Sequence, residues 1–384
     1  MSVARNIKLL AWHNFFTDFK LYAPVAILYF AQVSGSYALG MSVFSLAMLT
    51  QAVLEIPTGV FSDLIGRKRT VICGSAAITL GTISYAIGGN YGWLMVGACL
   101  EGISRAFYSG NNDALLHDTV TEIGQSETYA EKLGKLSSLF QVAAAGAAIL
   151  GSVIANWSFT WVMWLSVLPQ AACLVISLNL IEPQRRNEET SQPYRHIREA
   201  VKLFFKNSRL RSLSLANMLG ASAGEAIFQF NATFIATLWP IWAIGVAKSL
   251  SNAGAAISFY TAGRMIKRFK ALPIMIGARI YGRVVSLIAY GLPTIISPIL
   301  LASHSLLFGT ITVADSQLKQ KEYTQKQRAT MASLDSLLVS LAVAVMTVLI
   351  GWLADLTSPA RALIYMQGFQ LIPILIYWRL WRKR

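Results

Sequence analysis

Apolar runs of about twenty residues recur along almost the whole chain, and each is bounded by charges, Gly or Pro. A helix needs roughly 20 residues to cross the hydrocarbon core of a bilayer. The runs lie near residues 8–33, 38–58, 70–88, 92–113, 134–155, 159–180, 211–239, 249–264, 272–291, 294–313, 331–353 and 359–379, and they predict twelve membrane-spanning helices. Composition agrees: 55% of residues are hydrophobic and 13% charged, against about 25% charged in soluble domains. A net charge of +15 would point to nucleic acid in a soluble protein. Here the cations sit at the ends of apolar runs rather than in a basic arm, so no nucleic-acid partner is expected.

The distribution of Lys and Arg sets the expected orientation. With the N-terminus inside, 27 of the 33 cations fall in cytoplasmic loops and tails, whereas Lys248 and Arg361 alone fall on the opposite side. Both termini are therefore expected in the cytoplasm. The longest polar segment, from Glu182 to Arg211, contains Pro183 and Pro193 and divides the spans six and six. This gives an N-terminal half over 1–181, a linker over 182–210 and a C-terminal half over 211–384. Within the linker, Ile197, Val201, Phe204 and Phe205 fall on one side of a helix and Arg195, Arg198, Lys202 and Lys206 elsewhere, a pattern that suits a basic helix on the membrane surface.

One turn carries a specific motif. Between the second and third spans the chain reads Gly59-Val-Phe-Ser-Asp63-Leu-Ile-Gly66-Arg67-Lys68-Arg69. The two glycines permit a sharp turn or close backbone approach. Asp63 is suited to a neighbouring helix N-terminus, and the three cations to anionic headgroups. The spacing resembles the signature loop of the major facilitator superfamily of transporters, Leu64 being the departure where that family usually has a cation. A weaker copy, Gly263-Arg264-Met265-Ile266-Lys267-Arg268-Phe269, follows the eighth span. The resemblance implies an all-α integral membrane fold of twelve helices in two pseudo-symmetric six-helix halves, with substrate held between them near the midplane.

Charges inside spans are costly, at roughly 2.5–3.5 kcal/mol each on insertion scales, so they are the first candidates for function. Asp18 lies about ten residues into the first span, some ~15 Å deep, accompanied by His13, Asn14 and Lys20. It reads either as a proton-titrating carboxylate or as the partner of Lys20 or Arg105. Glu101 and Arg105 stand at i and i+4 on the fourth span, in the favourable order, as a protonation switch or a permanent salt bridge. Gln141, beside the small residues Ala143 to Ala148, is a candidate for substrate contact. In the second half Glu225, Gln229 and Asn231 form a polar set on the seventh span, and His304 on the tenth could titrate or be hydrogen-bonded within the bundle. Arg279 and Arg283 share a face of the ninth span, which the family resemblance makes peripheral; Arg279 is close enough to the cytoplasm to snorkel. A cytoplasmic gate is expected from Gly59, Asp63, Gly66, Arg67 and Lys68 with Asp113 and Asp118, the aspartates pairing with Arg67 or the linker cations.

Cys73, Cys99 and Cys173 lie in apolar runs without metal-like spacing, so no metal, disulfide or cofactor is expected. No phosphate-binding Gly-rich loop points to ATP, and no nucleophile motif points to an enzyme. The expected function is secondary active transport of a small molecule across a bacterial inner membrane by a monomer amid membrane lipids. Proton-coupled export of an amphipathic compound leads. Proton-coupled uptake of a nutrient or metal-chelate, or a non-transporting receptor with a transporter-like body, are the alternatives.

Overall fold

A computed structural model describes residues 3–109, 111–183, 204, 207–323 and 328–382 of the chain. All regular structure among them is helical. The expected surface helix over 194–207 falls almost wholly outside the described residues.

The first part of the chain forms α1 (Arg5–Asp18), α2 (Ala26–Ser34), α3 (Tyr37–Ile65), α4 (Arg67–Ile87), α5 (Tyr91–Tyr108), α6 (Asn111–Glu122), α7 (Tyr129–Ala155) and α8 (Phe159–Leu178). The second forms α9 (Ser208–Ile235), α10 (Ile241–Phe269), α11 (Ala271–Gly291), α12 (Ser297–Ser303), α13 (Phe308–Gln320), α14 (Arg328–Leu356), α15 (Pro359–Phe369) and α16 (Leu371–Arg382). Polar residues at the turns start several of these helices. Ser36, Asn90, Ser158, Asn207 and Ser358 each accept a hydrogen bond from a backbone N–H in the first turn that follows, meeting the donors that a helix N-terminus leaves unpaired.

Eight stretches are long and apolar enough to cross a membrane, among them Arg67–Ile87, Phe159–Leu178, Ala271–Gly291 and Leu334–Leu356. The expected spans that do not reach that standard are the first, fourth, seventh and eighth. The first is broken into the shorter helices α1 and α2; the others carry Glu101 and Arg105, Glu225, and Lys248, and charge within a span lowers its hydropathy. The chain is a multi-pass, all-α membrane protein.

By their packing the helices form two compact units. The first comprises Met1–Asn187 with Pro240–Ser249, and the second Glu188–Trp239 with Leu250–Arg384. In the first unit α4 packs against α3, α5 and α8 and is the most enclosed of the spans. In the second, α9 packs against α14 and α16, and α11 against α13, α15 and α16.

Four expected spans are not continuous. The tenth is interrupted by a 3-10 turn at His304–Leu307, between α12 and α13, and the twelfth breaks at Gln370 between α15 and α16. The fourth, expected over 92–113, ends at Tyr108, and α6 is a separate helix. The first span shows the deepest change. Helix α1 stops at Asp18, and a 3-10 turn at Ala23–Val25 precedes α2. Pro24 in that turn has no N–H and helps exclude a regular helix.

Non-helical backbone at membrane depth survives only where its polar groups find partners within protein or water. Here the protein provides them. The Tyr22 N–H donates to Ser166 Oγ at 3.1 Å, the Gln170 amide donates to the Phe16 carbonyl at 3.2 Å, and the Phe19 N–H turns back on the Phe15 carbonyl at 3.1 Å. The break also depends on Gly151 of α7. A Cβ at that position would lie 1.8 Å from the Leu21 carbonyl oxygen, so only glycine lets the backbones pass.

This contrast is testable on one helix. Gly151→Ala must push a backbone carbonyl aside and should cost roughly 1–3 kcal/mol, as overpacking does. Gly146→Ala, whose new Cβ would meet only a Phe19 ring atom at 3.5 Å, should leave thermal unfolding in detergent nearly unchanged.

Candidate functional site

The break in the first span places Lys20 and Tyr22 against Glu101 of α5. Glu101 is 6% exposed, so its carboxylate must be met by the protein. Oε1 accepts from Lys20 Nζ at 3.0 Å and from Arg105 Nη2 at 2.9 Å and Nε at 3.3 Å, while Oε2 accepts from the hydroxyls of Tyr85 at 3.0 Å and Tyr22 at 3.3 Å. Two cations and two phenols thus converge on one carboxylate. Charge-assisted bonds of this kind are the strong ones, and the helical i, i+4 spacing positions Arg105 without cost to α5. The side chain of Arg105 is 36% exposed against 16% for Lys20.

Asp18 is the carboxylate left over. It lies in the field of Lys20 and Arg105, yet forms no ion pair or hydrogen bond through its side chain with a described residue. Both cations point to Glu101 instead, which overturns the expected pairing of Asp18 with either. On the same unit His13 is buried and bonded to Ser75 Oγ at 3.1 Å, which also accepts from Tyr108. Rings of Trp12, Phe15, Phe16 and Phe19 pack on one another along α1. Gln141 is half-buried on α7 and makes no hydrogen bond with a described residue.

In the second unit Glu225 and Gln229 pair at 2.8 Å along α9, and Asn231 accepts from the Tyr290 hydroxyl at 2.5 Å. His304 sits in the 3-10 turn with its ring packed over Gly282 and makes no hydrogen bond to a described residue. It is neither hydrogen-bonded in the bundle nor part of the Glu225 set.

At the motif turn, Gly66 has φ +103°, a backbone setting that L side chains rarely adopt. The carboxylate at the start of α4 is that of Glu182, from the start of the linker. Its carboxylate oxygens accept from the Arg67 N–H at 2.7 Å and the Lys68 N–H at 2.8 Å, capping the N-terminus of α4 where an anion is favoured. The Asp63 side chain lies outside the described residues. Arg67 pairs with Asp118 at 3.6 Å and donates to Ser62 Oγ at 2.9 Å, and Asn111 ties Ser62 to the Arg67 carbonyl. Asp113 is exposed and joins no ion pair among the described residues, so it does not pair with Arg67; most of the linker cations lie outside the described residues. Gly59 is exposed, with open space where a Cβ would stand, and the Lys68 side chain is half-buried.

Lys20, Tyr22, Tyr85 and Glu182 escaped the sequence as members of these two clusters. Lys20 was visible as an intramembrane cation, but its partner depends on a helix break that hydropathy does not reveal. Tyr85 and Tyr22 read as ordinary aromatic residues.

With this geometry in place, likeness to known proteins becomes informative. The model of the Major Facilitator Superfamily matches residues 13–318, and the chain belongs to that family. It is similar to the inner membrane transport protein YajR of Escherichia coli, 28% identical over 108 residues, which are 28% of this chain and 22% of that protein. It is also similar to an uncharacterized transporter of Buchnera aphidicola, 27% identical over 140 residues, 36% of this chain and 34% of that one. The matches thus span between about a fifth and a third of these relatives' length. In fold it resembles the crystal structure of the nucleoside transporter NupG, with a TM-score of 0.83 at 13% identity over 99% of both chains. A bacterial homologue of the lysosomal transporter Spinster gives 0.77 at 16%, over 98% of this chain and 95% of that one. Family and fold neighbours are membrane transporters rather than enzymes.

Two substitutions separate the parts of these clusters. Glu101→Gln leaves the enclosed Lys20 without its carboxylate and should destabilise the first unit by about 3 kcal/mol, whereas Tyr22→Phe removes one donor of five and should cost about 1 kcal/mol; thermal unfolding of the purified protein reads both. At the other cluster Glu182→Ala removes a helix cap and should cost about 1 kcal/mol, read as faster hydrogen exchange confined to the first turn of α4.

Proposed function

We propose that this chain is a secondary active transporter that moves a small amphipathic molecule by alternating access, coupled to protons, with the Glu101 cluster as its first-half site. The observation that carries the reading is the unequal treatment of two carboxylates at the helix break. Glu101 takes five donors, including both cations, and so acts as a fixed anchor. Asp18, with no such partner, is the group able to gain and lose a proton as water reaches it. Arg105, the more exposed cation, would meet polar or anionic groups of the cargo, and the rings of α1 its apolar part.

In this reading Glu225, Gln229 and Asn231 line the second half of the pathway, and the turn bearing Gly59, Asp63, Gly66, Arg67 and Lys68 with Asp118 acts as the gate on the cytoplasmic side. The positive-inside bias supports cytoplasmic termini, and the relatives support a bacterial inner membrane. Export is favoured for an amphipathic cargo that can enter from the bilayer; uptake of a nutrient or chelate would use the same groups with the flux reversed.

Purified protein in proteoliposomes, challenged with amphipathic compounds, nutrients and chelates while internal pH is followed, tests this. Wild type should move protons with one class of compound, and the sign of the flux gives direction. Asp18→Asn should abolish proton movement but keep exchange of labelled compound across the membrane at no less than about a tenth of wild type. Equal proton flux in wild type and Asp18→Asn would overturn the coupling role of Asp18, and absence of any exchange would favour a receptor.

A further inference from the structure

Helix α11 carries two arginines where the membrane setting makes them most costly. Its buried positions are Leu272, Met275, Ala278, Arg279, Gly282, Arg283, Ser286, Ala289 and Tyr290, the 3- and 4-residue spacing of a single inward face. Ile280, Tyr281, Val284, Leu287 and Ile288 are exposed on the other side, which is the face suited to lipid. Arg279 and Arg283 are each only 8% exposed. Arg279 therefore does not snorkel, as its position in the sequence led us to expect; it turns into the second unit.

Neither guanidinium meets a carboxylate among the described residues. Arg279 lies over the ring of Tyr377 at 5.2 Å and against Gly220, where a Cβ would come within 2.4 Å of its Nη1. Its Nε is buried with no hydrogen-bond partner. Arg283 makes one bond, from Nη1 to Gln367 Oε1 at 2.6 Å, and leaves the rest of its fork of donors unused. Asp315, bonded to the other end of Tyr377, is already taken: the Tyr377 hydroxyl donates to it at 2.8 Å and Lys319 pairs with it at 2.7 Å. Lys319 also pairs with Asp335.

Charge counting fixes what is missing. Arg279, Arg283 and Lys319 set against Asp315 and Asp335 leave one positive charge in excess. An uncompensated buried charge is strongly destabilising, and i, i+4 placement points both guanidiniums to the same side of α11. Arg279 begins about eight residues into α11, hence ~12 Å along its axis, and Arg283 ~18 Å, depths that a lipid headgroup does not ordinarily reach. We propose that Arg279 and Arg283 form a site for one small monovalent anion within the second unit, either chloride or the carboxylate of a small solute. Both offer lone pairs to the unused N–H groups, and the carboxylate matches the planar fork of arginine. The site stands apart from the Glu101 cluster and does not depend on its role.

Equilibrium dialysis of the purified protein against labelled chloride and, separately, labelled acetate tests this directly, with gluconate keeping ionic strength constant. Saturable binding of about one anion per chain is expected in wild type, accompanied by a rise in unfolding temperature on the order of 3 °C over gluconate. Binding of chloride alone identifies an inorganic ion site, and binding of acetate as well identifies a carboxylate site. Arg283→Gln and Arg279→Gln should each weaken binding at least tenfold and remove the thermal shift, while Arg283→Lys keeps the charge, loses the fork and should bind acetate more weakly than wild type. Should either Gln variant fail to fold, the Lys variant and the wild-type dialysis still decide. No saturable binding of either anion to wild type would overturn the proposal, as would unaltered binding in the folded arginine variants.

Discussion

The low-dielectric interior of a bilayer forbids an unpaired peptide group, and the first span of this protein is built around a place where that constraint is nearly violated. Helix α1 ends at Asp18, in mid-span, and the chain does not resume an α-helix until Ala26. Beyond local bonds such as that of the Phe19 N–H to Phe15, what makes the break tolerable comes from neighbouring helices: Ser166 and Gln170 from α8 bond its backbone, and Gly151 from α7 leaves room for a carbonyl. Once the backbone is held, the side chains it releases become available. Lys20 and Tyr22 would point elsewhere from an unbroken helix; from the break they reach Glu101.

That order of causes explains why the two acidic residues differ. Glu101 sits on a regular helix with Arg105 one turn away, so one cation is supplied locally, and the break supplies the second. Asp18 ends α1 just before the segment that carries Lys20 to Glu101, and it does not pair with Lys20. A net charge of zero over Asp18, Lys20, Glu101 and Arg105 makes the cluster affordable in a membrane, while its uneven bonding leaves one carboxylate responsive. The second unit has no such local balance. Its arginines on α11 share their surroundings with a tyrosine, a glutamine and a carboxylate already engaged by Lys319.

The sequence made the architecture legible because length and hydropathy report directly on spanning a bilayer. It also made legible the Glu101–Arg105 pair and the Arg67–Asp118 pair, the one from helical spacing and the other from the end of the fourth span emerging beside the motif turn. What it hid falls into one physical class. Lys20 with Glu101, Tyr85 with Glu101, and Glu182 with the start of α4 are contacts between positions 81, 16 and 115 residues apart, and no local pattern encodes them. Helix breaks were hidden too. The apolar run from residue 8 to 33 has no Gly, and its single Pro lies beyond the point where α1 stops, so tertiary bonding to α8 prevails over the helical preference of the run.

The motif turn is completed by a residue outside the motif. Arg67 is held on one side by Asp118 and Ser62 and on its own backbone by Glu182, which belongs to the first residues of the linker. The start of α4 is therefore fastened to the point where the chain leaves the first unit. Because α4, the most enclosed candidate span of that unit, also carries Tyr85, one of the two phenols on Glu101, one helix joins the motif turn to the Glu101 cluster.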